Sequence, residues 1–183
     1  EIFFVQLLAA NYWVSLGVTD TSNENAQSFT CTLGDCDMAH RETWKQIQAA
    51  AEAHYDRSSD CSFTTFSGYE YTDAPDFANL HRNVIFAGSD RLPREPFSRF
   101  HSTNPEDLWQ WMDDLREKGV ESLAIPHNSN ASNGQMFKLV DWAGDPLDDD
   151  YARQRIRNEP IVEITQIKGT SETHPALSSR DEF

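Results

Sequence analysis

Short runs of β-branched and aromatic residues alternate with amphipathic helical stretches along this chain, and that alternation limits the architectures open to it. Tyr12 to Thr19 (YWVSLGVT) is apolar, ends at Asp20 and predicts a buried strand. Arg41 to Tyr55 carries Trp44, Ile47, Ala51 and Tyr55 at helical spacing. Ser62 to Tyr71 (SFTTFSGYEY) and Asn83 to Ala87 (NVIFA) have strand composition. Pro93 and Pro96 lie in the loop before the next helix, which Asn104 can cap. Pro105 suits its first position, Glu106 and Asp107 suit its positive end, and Gly119 closes it. Leu108, Trp111, Met112 and Leu115 supply its apolar face. Ser122 to Ile125 predicts a strand stopped by Pro126, Asp148 to Arg157 a helix with acids first and arginines last, and Ile161 to Ile167 a final strand. Strands alternating with helices predict an α/β protein with a largely parallel sheet. The alternation alone does not separate a barrel fragment from an open sheet.

In parallel α/β folds, sites form from the loops at the carboxyl ends of strands. Asp20 follows the first strand, Glu70 lies near the end of the second, and His127 follows Pro126. Glu172 and His174 come after the last strand, while His81 precedes a strand and is expected to approach from a return loop. Histidine and carboxylate donors suit zinc, manganese or iron. Such ions polarise an ester oxygen and acidify bound water, and a pair of them needs a bridging carboxylate, for which Glu70 is the candidate. Asp20, Glu70, His81 and His127 are thus the expected metal ligands.

Each residue also has an ordinary reading. His40, His54 and His101 lie in or beside a helix or in a loop and count as background. His127 is harder to explain by packing, because it sits in Pro126-His127-Asn128-Ser129-Asn130. Glu163 faces opposite to Val162 and Ile164, which fits either a rim position or plain solvent exposure. Lys168 heads a small polar run (KGTSETHP) and can pair with an anionic ester, although such runs are common as turns. There is no G-x-S-x-G, Walker loop or dinucleotide fingerprint.

Charge narrows the partners. The chain has 183 residues, with 15 basic against 30 acidic, a net charge of −15. Such a surface repels nucleic acid and anionic membranes. A small anionic ester would need local positive charge, most simply metal ions. Ile2 to Val18 is apolar but interrupted by Asn11 and Ser15, and predicts neither a membrane span nor a signal peptide. Cys31, Cys36 and Cys61 lie in polar sequence, which favours a disulfide in an exported protein. Their odd number leaves the pairing open.

FTTFSGYEYT (63–72), NLHRNVIF (79–86), PEDLWQWM (105–112), LAIPHNSNASNGQMF (123–137), NEPIVEITQIKGTSETHP (158–175) and LSSRDEF (177–183) together resemble a bacterial family known as a domain of unknown function. That family is related to the polymerase-and-histidinol-phosphatase (PHP) superfamily of metallohydrolases. The likeness runs from about Cys36 to the last residue, with residues 1–35 matching poorly. It implies one partial domain over 1–183: an incomplete PHP-like distorted (β/α) barrel with largely parallel strands. It also implies one to three divalent ions (zinc or manganese, with iron as a further option), phosphoester hydrolysis and a periplasmic or secreted location. Glu70 matches the bridging acid, and His81 and His127 match histidine ligands. Asn128, Asn130, Lys168, Glu172 and His174 match further family positions.

From this follows an expected assignment. Lys168, Glu172 and His174 are catalytic, and Arg82, Asn128 and Asn130 bind substrate. The activity expected is hydrolysis of phosphate or sulfate monoesters. An amide-bond hydrolase using the same activated water, and a non-catalytic scaffold, are the alternatives. Two departures favour the scaffold: the superfamily's opening His-x-His is absent, and Thr21 stands where the family has histidine in Thr-Asp-His. The late Asp-x-His is also absent, so the chain is expected to be either an internal piece of a longer protein or a degenerate copy.

Overall fold

The computed structural model describes residues 35–130, 132–166 and 169–170. The predicted strand at Tyr12–Thr19 lies outside them. Helix α1 (Asp35–His54) is followed by strands β1 (Gly68–Tyr71) and β2 (Arg82–Phe86), helix α2 (Pro105–Glu117), strand β3 (Ser122–Pro126) and helix α3 (Asp149–Asn158). Thr165–Gln166 and Gly169–Thr170 form a separate short antiparallel pair, β4 and β5, where the sequence predicts one longer strand from Ile161 to Ile167.

Local signals form the helices as expected. Asn104 Oδ1 accepts from the backbone N–H of Glu106 (2.9 Å), Pro105 occupies the first turn, and Gly119 follows α2 at φ +80°. A left-handed residue at that point costs a glycine little. Asp148 Oδ1 caps α3 by accepting from Tyr151 N–H (2.8 Å). On α1, Trp44, Ile47 and Ala51 are buried at spacings of three and four.

The strands pair in the order β1-β2-β3, and both pairings are antiparallel. This corrects the expected PHP-like barrel with largely parallel strands: among the described residues the sheet is small, antiparallel and open at both edges. The physical reason lies in the connections. Only residues 72–81 join β1 to β2, shorter than the dozen or so residues a parallel crossover needs. Between β2 and β3, the loop before α2 already runs the length of the sheet, bringing the Ser102 carbonyl to the Tyr71 hydroxyl (2.7 Å). Helix α2 then brings the chain back to the end of β2, where Ala87 N–H donates to Glu121 (2.9 Å). A helix preceded by such a loop does not make a parallel crossover.

One face of the sheet is buried. Tyr69, Tyr71, Val84, Phe86 and Ala124 pack with Trp44 and Ile47 of α1 and Leu108 and Met112 of α2. Gly68 permits the close β1–β2 approach, since a Cβ there would lie 2.8 Å from the Val84 carbonyl oxygen. Among the described residues, no helix is long and apolar enough to cross a membrane.

Polar clamps hold α3 in place. Arg82, 2% exposed, donates from Nε to Glu159 Oε1 (2.5 Å) and from a guanidinium nitrogen to the Leu80 carbonyl (2.7 Å). Trp109 Nε1 donates to the same Glu159 oxygen (2.8 Å), and Arg155 Nε to the other (3.2 Å). Asp113 on α2 accepts from Arg116, Arg157 and Asn158. Removing one partner from a buried pair leaves an uncompensated charge. Glu159→Ala is therefore expected to destabilise the protein by about 3–5 kcal/mol in urea unfolding, whereas Asp90→Ala, at an exposed pair, is expected to cost under about 1 kcal/mol.

Candidate functional site

The carboxyl end of β1, the amino end of β2 and the carboxyl end of β3 share one rim, because the strands are antiparallel. His81, the last residue of the connection from β1 to β2, reaches that rim from the returning chain. It extends β2 by one residue, as His127 extends β3, and the His127 N–H donates to the His81 carbonyl (2.9 Å). This continues the ladder one step beyond the Arg82–Pro126 pair.

Strand alternation then decides where the side chains go. Arg82 and Pro126 belong to the buried alternation, so their neighbours His81 and His127 face the opposite side of the sheet. Glu70, paired with Asn83, is on that side too and stands diagonal to His81. The imidazoles of His81 and His127 lie with centroids 5.7 Å apart and planes at 64°. Glu70 Oε1 is 2.9 Å from His81 Nδ1 and also accepts from the Thr72 hydroxyl (2.9 Å). His127 Nδ1 is 2.6 Å from the Asn128 carbonyl oxygen.

Those contacts set the chemistry of both rings. A carboxylate and a carbonyl oxygen only accept, so each Nδ1 carries the proton in the neutral ring and each Nε2 keeps its lone pair. Metal-binding histidines are oriented in this way by outer-shell oxygen acceptors. Among the described residues, however, no three His, Cys, Asp or Glu side chains are grouped closely enough to hold a metal ion.

The other candidates fare differently. Arg82, expected to bind substrate, faces the core, and its guanidinium is engaged by Glu159 and Leu80, so it serves the fold. Asn128 is buried (1% exposed), and its Oδ1 accepts from Asn130 N–H (3.2 Å), which shapes the loop after His127. Asn130 is exposed beside it. Asp20, Lys168, Glu172 and His174 lie outside the described residues, as do Cys31 and the side chain of Cys36. Cys61 is an exposed free thiol. A cavity of about 230 Å³ lined by Arg57, Ser67 and Ser89, and a groove of about 800 Å³ between α2 and α3, include none of Glu70, His81 and His127.

Sequence reasoning missed Asp73 and left Glu163 undecided. Asp73, 3% exposed just beyond β1, has no hydrogen-bond partner at Oδ2, and burial holds its carboxyl above the ordinary carboxylate range despite a backbone hydrogen bond from Ala74. Nothing in the sequence marks it, since TDAP reads as an ordinary turn. Glu163 Oε2 accepts from the Asn128 N–H (3.1 Å), which settles its orientation toward the rim. The chain matches the family described as a protein of unknown function (DUF3604) over residues 6–183. No curated protein and no solved structure matches it.

Because folded Asp73 holds its proton more tightly than the unfolded chain does, its contribution to stability declines as pH rises from the ordinary value of 3.8. Asp73→Asn, which removes the need to ionise a buried carboxyl, is expected to raise stability near pH 7 in thermal unfolding. The gain should fade as the pH of thermal unfolding is lowered toward 3.8.

Proposed function

The chain belongs to the DUF3604 family of proteins of unknown function, and on that premise we propose that it is a divalent-metal-dependent hydrolase of phosphate or sulfate monoesters. One observation carries the reading: two imidazoles stand 5.7 Å apart at one rim, each with Nδ1 against an oxygen acceptor. His81 and His127 would hold an ion through Nε2, a donor type that divalent transition metals accept. The donor set fits zinc, manganese or iron, and it is a partial set. Asp20, Glu172 and His174 are the further ligands or catalytic groups the reading would draw on. The resemblance to the PHP superfamily belongs to this reading, without its barrel.

A bound divalent ion supplies polarisation of the ester oxygen and an acidified water. The chain's own residues do the rest. His81 and His127 present Nε2 lone pairs. Glu70 fixes the His81 tautomer and the orientation of its ring. The ladder bond between His127 and His81 keeps the rings side by side. With Arg82 committed to Glu159, anion binding falls to Lys168 and to the ion itself. The net charge of −15 makes such local positive charge necessary for an anionic substrate.

Titration calorimetry with zinc and manganese, with a panel of phosphate, sulfate and amide substrates, tests the proposal. Wild-type protein is expected to bind at least one equivalent and to turn over a phosphate or sulfate ester. A chelator should abolish turnover, and re-added metal should restore it. His127→Ala should abolish turnover, and Glu70→Gln should lower affinity about 10–100-fold. Ester hydrolysis that survives His127→Ala overturns the assignment, and a wild-type protein that binds no metal favours the scaffold reading.

A further inference from the structure

Glu163 occupies an unusual place in its segment. Ile161, Val162 and Ile164 are 54%, 41% and 52% exposed, while the charged residue among them is half-buried. An ordinary solvent-facing glutamate next to apolar residues would show the reverse order. Its contacts explain the inversion. The Glu163 N–H donates to the Pro126 carbonyl (3.1 Å), immediately before His127. Its Oε2 accepts from the Asn128 N–H (3.1 Å), immediately after His127. One residue thus grips the chain on both sides of the histidine.

We infer that Glu163 is a positioning residue that fixes the imidazole of His127 through the backbone of Asn128. The Asn128 carbonyl faces His127 Nδ1 at 2.6 Å, so its position decides which ring nitrogen carries the proton. Asn128 is 1% exposed and is braced by its own Oδ1 against the Asn130 N–H (3.2 Å). The bond from Glu163 is charge-assisted, hence stronger than a neutral one. His81 receives a carboxylate directly, from Glu70. His127 receives its carboxylate at one remove, with Asn128 as the intermediary. Glu163 lies 35 residues beyond Asn128, so α3 and the segment after it help to build the rim.

The value of this arrangement to metal binding rests on the proposed function, whereas the arrangement itself does not. Long-range proton–nitrogen NMR of the histidine rings separates the two. Spectra are taken at about pH 8.5, two units above the ordinary imidazole value of about 6.5. Wild-type His127 is expected to show one tautomer, with Nε2 unprotonated. Glu163→Gln keeps an oxygen acceptor for the Asn128 N–H and should retain that tautomer. Glu163→Ala should introduce the Nε2–H form and weaken zinc binding about tenfold or more. Glu163→Asp, which shortens the arm by one methylene while keeping the charge, should do the same and serves if the alanine variant fails to fold. An unchanged His127 tautomer in a folded alanine or aspartate variant overturns the inference. A tautomer change in a protein that binds no zinc supports the positioning role and counts against the hydrolase reading.

Discussion

The carboxylate of Glu159 organises this structure. Its side chain is 1% exposed, and it accepts from Arg82, Trp109 and Arg155, one on β2, one on α2 and one on α3. A charge so far from water persists only when its lone pairs are met by donors in good geometry. Three elements must therefore arrive together. Arg155 adds packing to the charge, lying over the Trp109 ring at 5.4 Å and the Phe137 ring at 5.0 Å, and it donates to the Met136 carbonyl (2.9 Å). Apart from Asn158, α3 contributes no buried residue. It is held by charges rather than by an apolar stripe.

This clamp reaches the rim through one peptide unit. Arg82 is the first residue of β2 and His81 is its neighbour, so the interaction that anchors the guanidinium in the core aims the imidazole at the other face. The same inversion holds on β3, where buried Pro126 precedes His127. The rim side chains are thus directed by pleat and register, and the core beneath resists their displacement. The tail beyond α3 then contributes Glu163 to the segment around His127. Fold and rim thus share neighbouring supports in the chain, Arg82 beside His81 and Glu163 beyond α3.

The helices were readable because their signals are local. Asn104, Pro105 and the acids after them act within one turn, and Asp148 caps its own helix. Strand positions were readable to within one residue for β2 and β3, whereas the stretch expected to extend from Ser62 forms a strand only from Gly68 to Tyr71. Strand direction was not readable, because it depends on what the intervening loop does in space. Residues 87–104 carry no periodic pattern, yet their path along the sheet turns an expected parallel neighbour into an antiparallel one. Ile161 to Ile167 looked like a strand by composition, but composition does not supply a partner edge, and among the described residues of that run strand pairing is confined to Thr165–Gln166. Arg82 looked like an anion-binding group because an exposed and a buried arginine read alike. Only Glu159, 77 residues away, tells them apart.

What the amino-acid sequence determined by itself is the set of short-range decisions: where helices start, which stretches extend, and that Glu70, His81 and His127 sit at strand ends. Those follow from propensity, capping and punctuation within a few residues. Tertiary structure alone decided that the three come to one face, that Glu70 meets Nδ1 of His81, and that Glu163 steadies the loop of His127. The reason is that strand register and buried charge pairing join residues dozens of positions apart. Such contacts are set by chain path and desolvation, for which a linear pattern has no local symbol.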